Sequence, residues 1–179
     1  VSGVGLVLSV VAVPLQKKWS ASHSRPVRRA RKLVDLGAAT GYCVGTLASH
    51  ISGEWSMKGG RFEGGGMRFV HFRKYLNDIH AGYPDLARVY YEEVRRHAGV
   101  SAAHAYGGYL ATVTSWCEEK GIPYAGLPVG SIKSFWTGKG NAPKERMIAE
   151  CTDRGYFPKG DNEADAIATA PLEAAVVEL

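Results

Sequence analysis

Lys32-Leu33-Val34-Asp35-Leu36-Gly37 is a short apolar run with one acid inside it and a glycine at its end. A carboxylate among apolar residues is costly to bury unless its charge is compensated. Asp35 is therefore either a turn acid or a functional group. Toward the C-terminus the chain alternates between strand and helix patterns. Lys32 to Leu36 reads as a strand, Tyr42 to Ser49 as a second and Gly53 to Met57 as a third, with Gly37 and Gly41 suited to the turn between the first two. Gly59 to Gly66 carries too many glycines for a helix. Met67 to Ile79 has helical spacing, and Gly82-Tyr83-Pro84 stops it. Leu86 to Tyr91 is a strand rich in Val and Tyr. Ala102 to Lys120 is a helix ended by Gly121 and Pro123, and Tyr124 to Val129 is a fifth strand. A helix over Ala142 to Asp153 follows a glycine-rich turn. A last helical region starts near Asp161, and Pro171 is expected to break it. This order predicts an α/β fold: a five-stranded mixed sheet, built from a three-strand antiparallel meander plus two parallel strands, flanked by helices.

Upstream of Lys32 the composition changes. Val1 to Leu15 is apolar and uncharged, and Lys17, Lys18, Arg25, Arg28, Arg29, Arg31 and Lys32 follow with no acid before Asp35. Residues 1–31 are expected to form a flexible basic extension, and residues 32–179 one domain. The apolar run is shorter than the roughly 18–20 residues of a membrane span, so no membrane partner is expected. Its positive charge follows the apolar stretch, the reverse of a signal peptide. The acid-poor start is similar to a transit peptide, but its opening run is not amphipathic. A cytoplasmic location is expected, with organellar targeting left open. The basic half either is solvated or lies along nucleic-acid phosphates through Arg28, Arg29, Arg31 and Lys32. The net charge of +5 allows a polyanionic partner. Cys43, Cys117 and Cys151 lie far apart and form no CxxC pair, and the six histidines show no zinc-ligand spacing. A disulfide framework or structural zinc site is not expected.

Three acids occupy informative places. Asp35 lies within the first strand, Glu92 ends the strand Val89-Tyr90-Tyr91, and Asp165 lies at the start of the last helix. If the first and fourth strands are parallel neighbours, about 4.8 Å apart, Asp35 and Glu92 can face one cleft. Asp161 and Asp165 are four apart and share a helical face, while Glu163 points elsewhere. Clustered carboxylates repel one another and take up protons unless a cation is present. Oxygen-only ligands favour Mg²⁺ or Mn²⁺. Two such ions about 4 Å apart suit phosphodiester hydrolysis. Singly, each acid has a plain structural explanation: a helix N-cap for Asp161, a solvated charge for Glu92, a turn acid for Asp35.

Four segments in order carry a resemblance covering roughly residues 32 to 170. They are Val34-Asp35-Leu36-Gly37 with Thr40-Gly41-Tyr42; Tyr91-Glu92-Glu93-Val94; the lysine-bearing Val129-Gly130-Ser131-Ile132-Lys133 and Gly138-Lys139-Gly140-Asn141-Ala142-Pro143-Lys144; and Asp165-Ala166-Ile167-Ala168. Together they resemble the RuvC family of Holliday-junction resolvases, within the ribonuclease-H-like superfamily. The glycine-rich Arg61-Phe62-Glu63-Gly64-Gly65-Gly66 looks more like phage and phage-derived members. The resemblance implies a crossover-junction endonuclease that uses Mg²⁺ or Mn²⁺, two ions per site. Asp35, Glu92 and Asp165 would be metal ligands, with Asp161 a candidate fourth. Lys133 and Lys144 would hold or neutralise the scissile phosphate. It also implies four-way junctions or other branched DNA as partner and, from the two-fold symmetry of a junction, a homodimer. Arg95, Arg96 and Lys139 are further candidate DNA contacts.

Two positions depart from the family pattern. Many relatives carry an acid three residues before the last Asp, where this chain has Asn162. Asp161 or the Asn162 carbonyl is then the candidate substitute. In bacterial resolvases an aromatic stands three residues after the catalytic Glu, where this chain has Arg95, so strict four-way-junction preference does not follow. Two other readings compete. Asp35-Leu36-Gly37-Ala38-Ala39-Thr40-Gly41 also resembles the first phosphate loop of actin-like ATPases and sugar kinases, but those enclose ATP between two such domains. Gly138-Lys139 is followed by Gly140, so no Walker A loop is present. The third reading is a non-catalytic protein that binds branched DNA.

Overall fold

The computed structural model of the chain describes residues 8–11, 32–34, 39–46, 49–57, 60–95, 97 and 99–169. Six strands join in one sheet: β1 (Leu8–Val11), β2 (Lys32–Val34), β3 (Ala39–Thr46), β4 (Ser49–Ser56), β5 (Arg88–Glu93) and β6 (Tyr124–Pro128). The helices are α1 (Met67–Gly82), α2 (Val100–Lys120), α3 (Val129–Thr137), α4 (Lys144–Asp153) and α5 (Asp161–Thr169). Among the described residues no helix is long and apolar enough to cross a membrane.

The five-stranded sheet expected from the sequence needs correction. Most of the ladder lies in two pairs, antiparallel β3–β4 and parallel β5–β6. Short β2 is antiparallel to β3 and meets β5 in parallel at Lys32 and Val89. The sixth strand, β1, comes from within residues 1–31 and pairs with both β3 and β5. Its Leu-Ser-Val-Val run is β-branched and apolar, but a stretch so short shows no alternation to reveal it. The rest of residues 1–31 lies outside the described residues, as does Pro171.

A second correction concerns residues 129–137, where the sequence suggested no helix and counted Val129 as the end of the fifth strand. They form α3, because Ile132 and Trp136, one helical turn apart, are both buried. The turn itself is confined to residues after Gly138, whose φ of 73° is the left-handed conformation that ends α3. Helix α2 ends the same way at Gly121, with φ 64°.

Two cores flank the sheet. On one side α1 and α2 bury Phe72, Leu76, Tyr109, Val113 and Trp116 against Val44, Trp55 and Val89. The Trp55 ring stacks between Tyr42 and Tyr75, with centroids 4.7 Å away on each side. Trp116 Nε1 donates to Asn77 Oδ1 at 2.8 Å, which satisfies the indole inside the core. On the other side α3, α4 and α5 bury Ile132, Trp136, Met147, Cys151, Ala164, Ile167 and Ala168 against Tyr90 and Leu127. Small residues let α5 sit close to the sheet: a Cβ added to Gly41 of β3 would stand well under 3.0 Å from the Asn162 carbonyl. Cys43, Cys117 and Cys151 are buried and form no disulfide among the described residues.

Candidate active site

Strand alternation places the first acid. Side chains along β5 point to opposite faces in turn. Val89 and Tyr91 enter the α1–α2 core, while Tyr90 enters the α3–α5 core. Glu92 shares the face of Tyr90, opposite Leu127 in the β6 register. It is only 8% exposed. Tyr106 of α2 steadies this strand end, since its hydroxyl donates to the Glu92 carbonyl and accepts from Val94 N–H, each at 3.2 Å. Nothing in the sequence around Tyr106 distinguished it from other helical aromatics.

Helix α5 brings the second acid to the same place. Burial, followed by the nearby charge of Asp165, pushes the Glu92 carboxyl up to about 8; Lys133 and Lys144 act in the opposite sense. Burial also pushes Asp165 up to about 6, against the same two lysines and with Asp161 adding to the rise. Glu92, Asp165, Lys133, Lys144 and Asp161 thus share one electrostatic neighbourhood. Among the described residues, no three His, Cys, Asp or Glu side chains are grouped so as to hold a metal ion. Asp35, the expected third carboxylate, lies outside the described residues.

The two lysines stand on successive elements. Lys133 of α3 donates to the Ala142 carbonyl at 3.0 Å, which ties the turn before α4 back to α3. Lys144 opens α4 behind Pro143 and is ion-paired with Asp161 Oδ2. That hydrogen bond is the largest influence holding the Asp161 carboxyl below its ordinary value. Asp161 is therefore coupled to both Lys144 and Asp165. Asn162 takes another direction: its side-chain amide donates to Glu54 Oε1 on β4.

Glu163, one residue further, anchors α5. It is 6% exposed, accepts from Ser52 Oγ of β4 at 2.7 Å and from Lys159 N–H at 2.9 Å. The helical spacing already turned it away from Asp165, but the contact with Ser52, 111 residues earlier, had no sequence signal.

The candidate DNA contacts are more scattered. Arg95 is exposed and pairs with Glu93 through two 3.3 Å hydrogen bonds. Glu93, Val94 and Arg95 line a shallow cleft with Pro128, Val129 and Gly130, at the C-terminal ends of β5 and β6. Lys139 is exposed on the turn between α3 and α4. The backbone of Lys32 is paired within the sheet to Val44 and Val89. Arg28, Arg29, Arg31 and Arg96 lie outside the described residues.

A mixed sheet with helices on both faces, and acids brought together near the end of β5, defines an α/β fold. Solved structures agree. The "Thermus thermophilus RuvC structure" matches with a TM-score of 0.59 and 20% identity, over 79% of this chain and 90% of that chain. "T. thermophilus RuvC in complex with Holliday junction substrate" matches with a TM-score of 0.64 and 17% identity, over 78% of this chain and 88% of that one. At such identities the likeness establishes the fold, and it does not single out phage members. No family model matches the sequence, and no curated protein matches it.

Proposed function

We propose that this chain is a divalent-metal-dependent endonuclease that cuts Holliday junctions or other branched DNA. The observation that carries the reading is the pair of buried Glu92 and partly buried Asp165, both within the electrostatic influence of Lys133 and Lys144. Two carboxylates that burial disfavours as anions, with Asp165 repelling Glu92 and Asp161 repelling Asp165, form an incomplete site, which a hard cation would complete. The oxygen-only donors fit Mg²⁺ or Mn²⁺. Asp35, Glu92 and Asp165 would hold it, with Asp161 as the fourth ligand. Held there, two such ions would supply activation of a water and neutralisation of charge on the leaving oxygen of a phosphodiester.

The chain's own residues divide the remaining work. Lys133, half-buried and fixed through Ala142, is placed to offset charge developing on the scissile phosphate. Lys144 is more exposed and exchanges its Asp161 partner for a phosphate oxygen when DNA arrives. Arg95 makes the same exchange from Glu93 at the mouth of the cleft. Arg28, Arg29, Arg31, Lys32, Arg96 and Lys139 supply contacts to phosphates that carry no sequence information. The match to a RuvC solved with a Holliday junction substrate supports branched DNA as the substrate. A homodimer suits a two-fold junction, and the glycine-rich residues 61–66 suit a phage-type member.

The test is cleavage of labelled four-way, three-way, flap and linear DNA with Mg²⁺ and with Mn²⁺. Metal-dependent cutting of branched over linear DNA is expected, and Glu92→Gln should abolish it while sparing binding. Tight binding without cutting would assign the chain to the non-catalytic reading instead.

A further inference from the structure

The segment between β4 and α1 has a use that the carboxylate site does not absorb. Phe62 is 95% exposed, the most exposed large apolar side chain among the described residues. The turn that carries it is held by specific bonds. Glu63 N–H donates to Gly60 O at 3.0 Å, and Gly60 N–H donates to Glu63 Oε2 at 2.6 Å. Glu63 also stands 3.7 Å from His71 Nε2 on α1, and Arg68 Nε donates to Gly65 O at 2.9 Å. A turn built this way presents the ring outward; it does not leave it there for want of order.

Its surroundings point to a flat, negatively charged guest. The Arg61 guanidinium stands 5.7 Å from the Phe62 ring centroid. At Gly64, Gly65 and Gly66 an added Cβ would meet nothing within 4 Å, and none of the three has a left-handed φ. The fold does not demand glycine there, and its effect is a bare shelf beside the ring. The location is also specific. Glu54 of β4 bonds to Asn162, the neighbour of Asp161, and the chain leaves β4 after Ser56. The strand that leads to the Phe62 turn therefore ends close to the start of α5, where Asp161 meets Lys144.

We propose that Phe62 and Arg61 form a stacking platform for an unpaired or splayed nucleobase at the branch point of DNA held by the carboxylate site. Aromatic rings stack on any base, and an adjacent guanidinium adds attraction to base and phosphate alike. The pair would then favour DNA with unstacked bases over intact duplex without reading sequence. This inference rests on the reading of the chain as a branched-DNA nuclease.

The experiment uses the full chain in metal-free buffer, with four-way junctions and linear duplex carrying 2-aminopurine at the branch position or its duplex equivalent. Phe62→Ala should weaken junction binding about tenfold and abolish the change in 2-aminopurine fluorescence seen with the unaltered chain. Phe62→Trp should retain both, Arg61→Ala should weaken both in part, and duplex binding should be unchanged in the two Phe62 variants. Equal junction affinity and fluorescence for Phe62→Ala overturns the platform while leaving the nuclease reading intact. So does an equal loss on junction and duplex. A dimer that becomes a monomer on Phe62→Ala in light scattering, with junction loss explained by that change, assigns the ring to a second copy of the chain and also overturns it. If the unaltered chain does not prefer branched DNA, the nuclease reading itself fails.

Discussion

Replacing Glu92 by Gln removes a buried charge and keeps its shape, so stability and activity should move in opposite directions. The carboxyl titrates at about 8 in the folded chain against 4.5 as its ordinary value. Between those values the folded state binds more protons than the unfolded one, so stability falls as pH rises through the window. At pH 7 the cost of keeping Glu92 protonated is two and a half pH units at about 1.4 kcal/mol each, or about 3.5 kcal/mol at most. Glu92→Gln should recover most of that at pH 7 and almost none at pH 4.5. For a chain of this size that corresponds to a rise in Tm of about 7–14 °C at the upper limit. Thermal unfolding of metal-free protein from pH 4.5 to 8.5 is the assay. The unaltered chain should lose stability with rising pH and regain it on adding Mg²⁺, whereas the variant should show a flatter profile and little response to Mg²⁺. Parallel profiles for the two proteins, or a variant less stable at pH 7, would refute the buried-acid argument. Retained cleavage by the variant would refute its assignment to the site.

Four further outcomes are expected. Lys133→Met should slow single-turnover cleavage by about 10²–10³-fold and shift its metal-free stability profile to higher pH, because the lysine lowers both neighbouring acids. Asp161→Asn should raise the Mg²⁺ concentration needed for half-maximal cleavage, while Asn162→Ala, whose amide is engaged by Glu54, should not; if neither changes it, three carboxylates suffice. Gly41→Ala should cost about 2–3 kcal/mol in urea denaturation through overpacking against the Asn162 carbonyl, and cleavage should fall with it. Changing Arg28, Arg29 and Arg31 together to Ala should weaken binding to all DNA shapes alike and flatten the log–log salt dependence by roughly one unit per lost phosphate contact; an unchanged slope would show these arginines to be solvated bystanders.

Much of the architecture was legible because it is local. Gly121 and Gly82-Tyr83-Pro84 mark the ends of α2 and α1, and the β5 run Val89-Tyr90-Tyr91-Glu92 shows its strand character in side-chain type. Asp35 and Glu92 drew notice for a different reason: a carboxylate within or at the end of an apolar run is conspicuous. Helix α3 was hidden because Val129-Gly130-Ser131 has turn composition, and only the burial of Ile132 and Trp136 against α5 and its neighbours stabilises a helix there. Strand β1 was hidden because four residues of Leu, Ser and Val acquire a structure only from their partners. The contacts that set α5 on the sheet, Ser52 with Glu163, Glu54 with Asn162 and Gly41 beneath the Asn162 carbonyl, join residues more than 100 apart. No local pattern encodes such pairs.

That last docking has a consequence for the chain's life before it is complete. Glu92 enters the fold with β5, but Asp165 arrives only with α5, the final element in the described order. Synthesis proceeds from the N-terminus at about 5–20 residues per second, so the sheet and both long helices leave the ribosome several seconds before α5 follows. During that interval the strand bearing Glu92 lacks its partner acid, and Lys144 lacks Asp161. The acid pair comes into being in one late step, when a nine-residue, alanine-lined helix settles over a glycine. Assembled in this order, the Glu92 and Asp165 neighbourhood does not exist until α5 has docked, and any later fraying of α5 would part the two acids again.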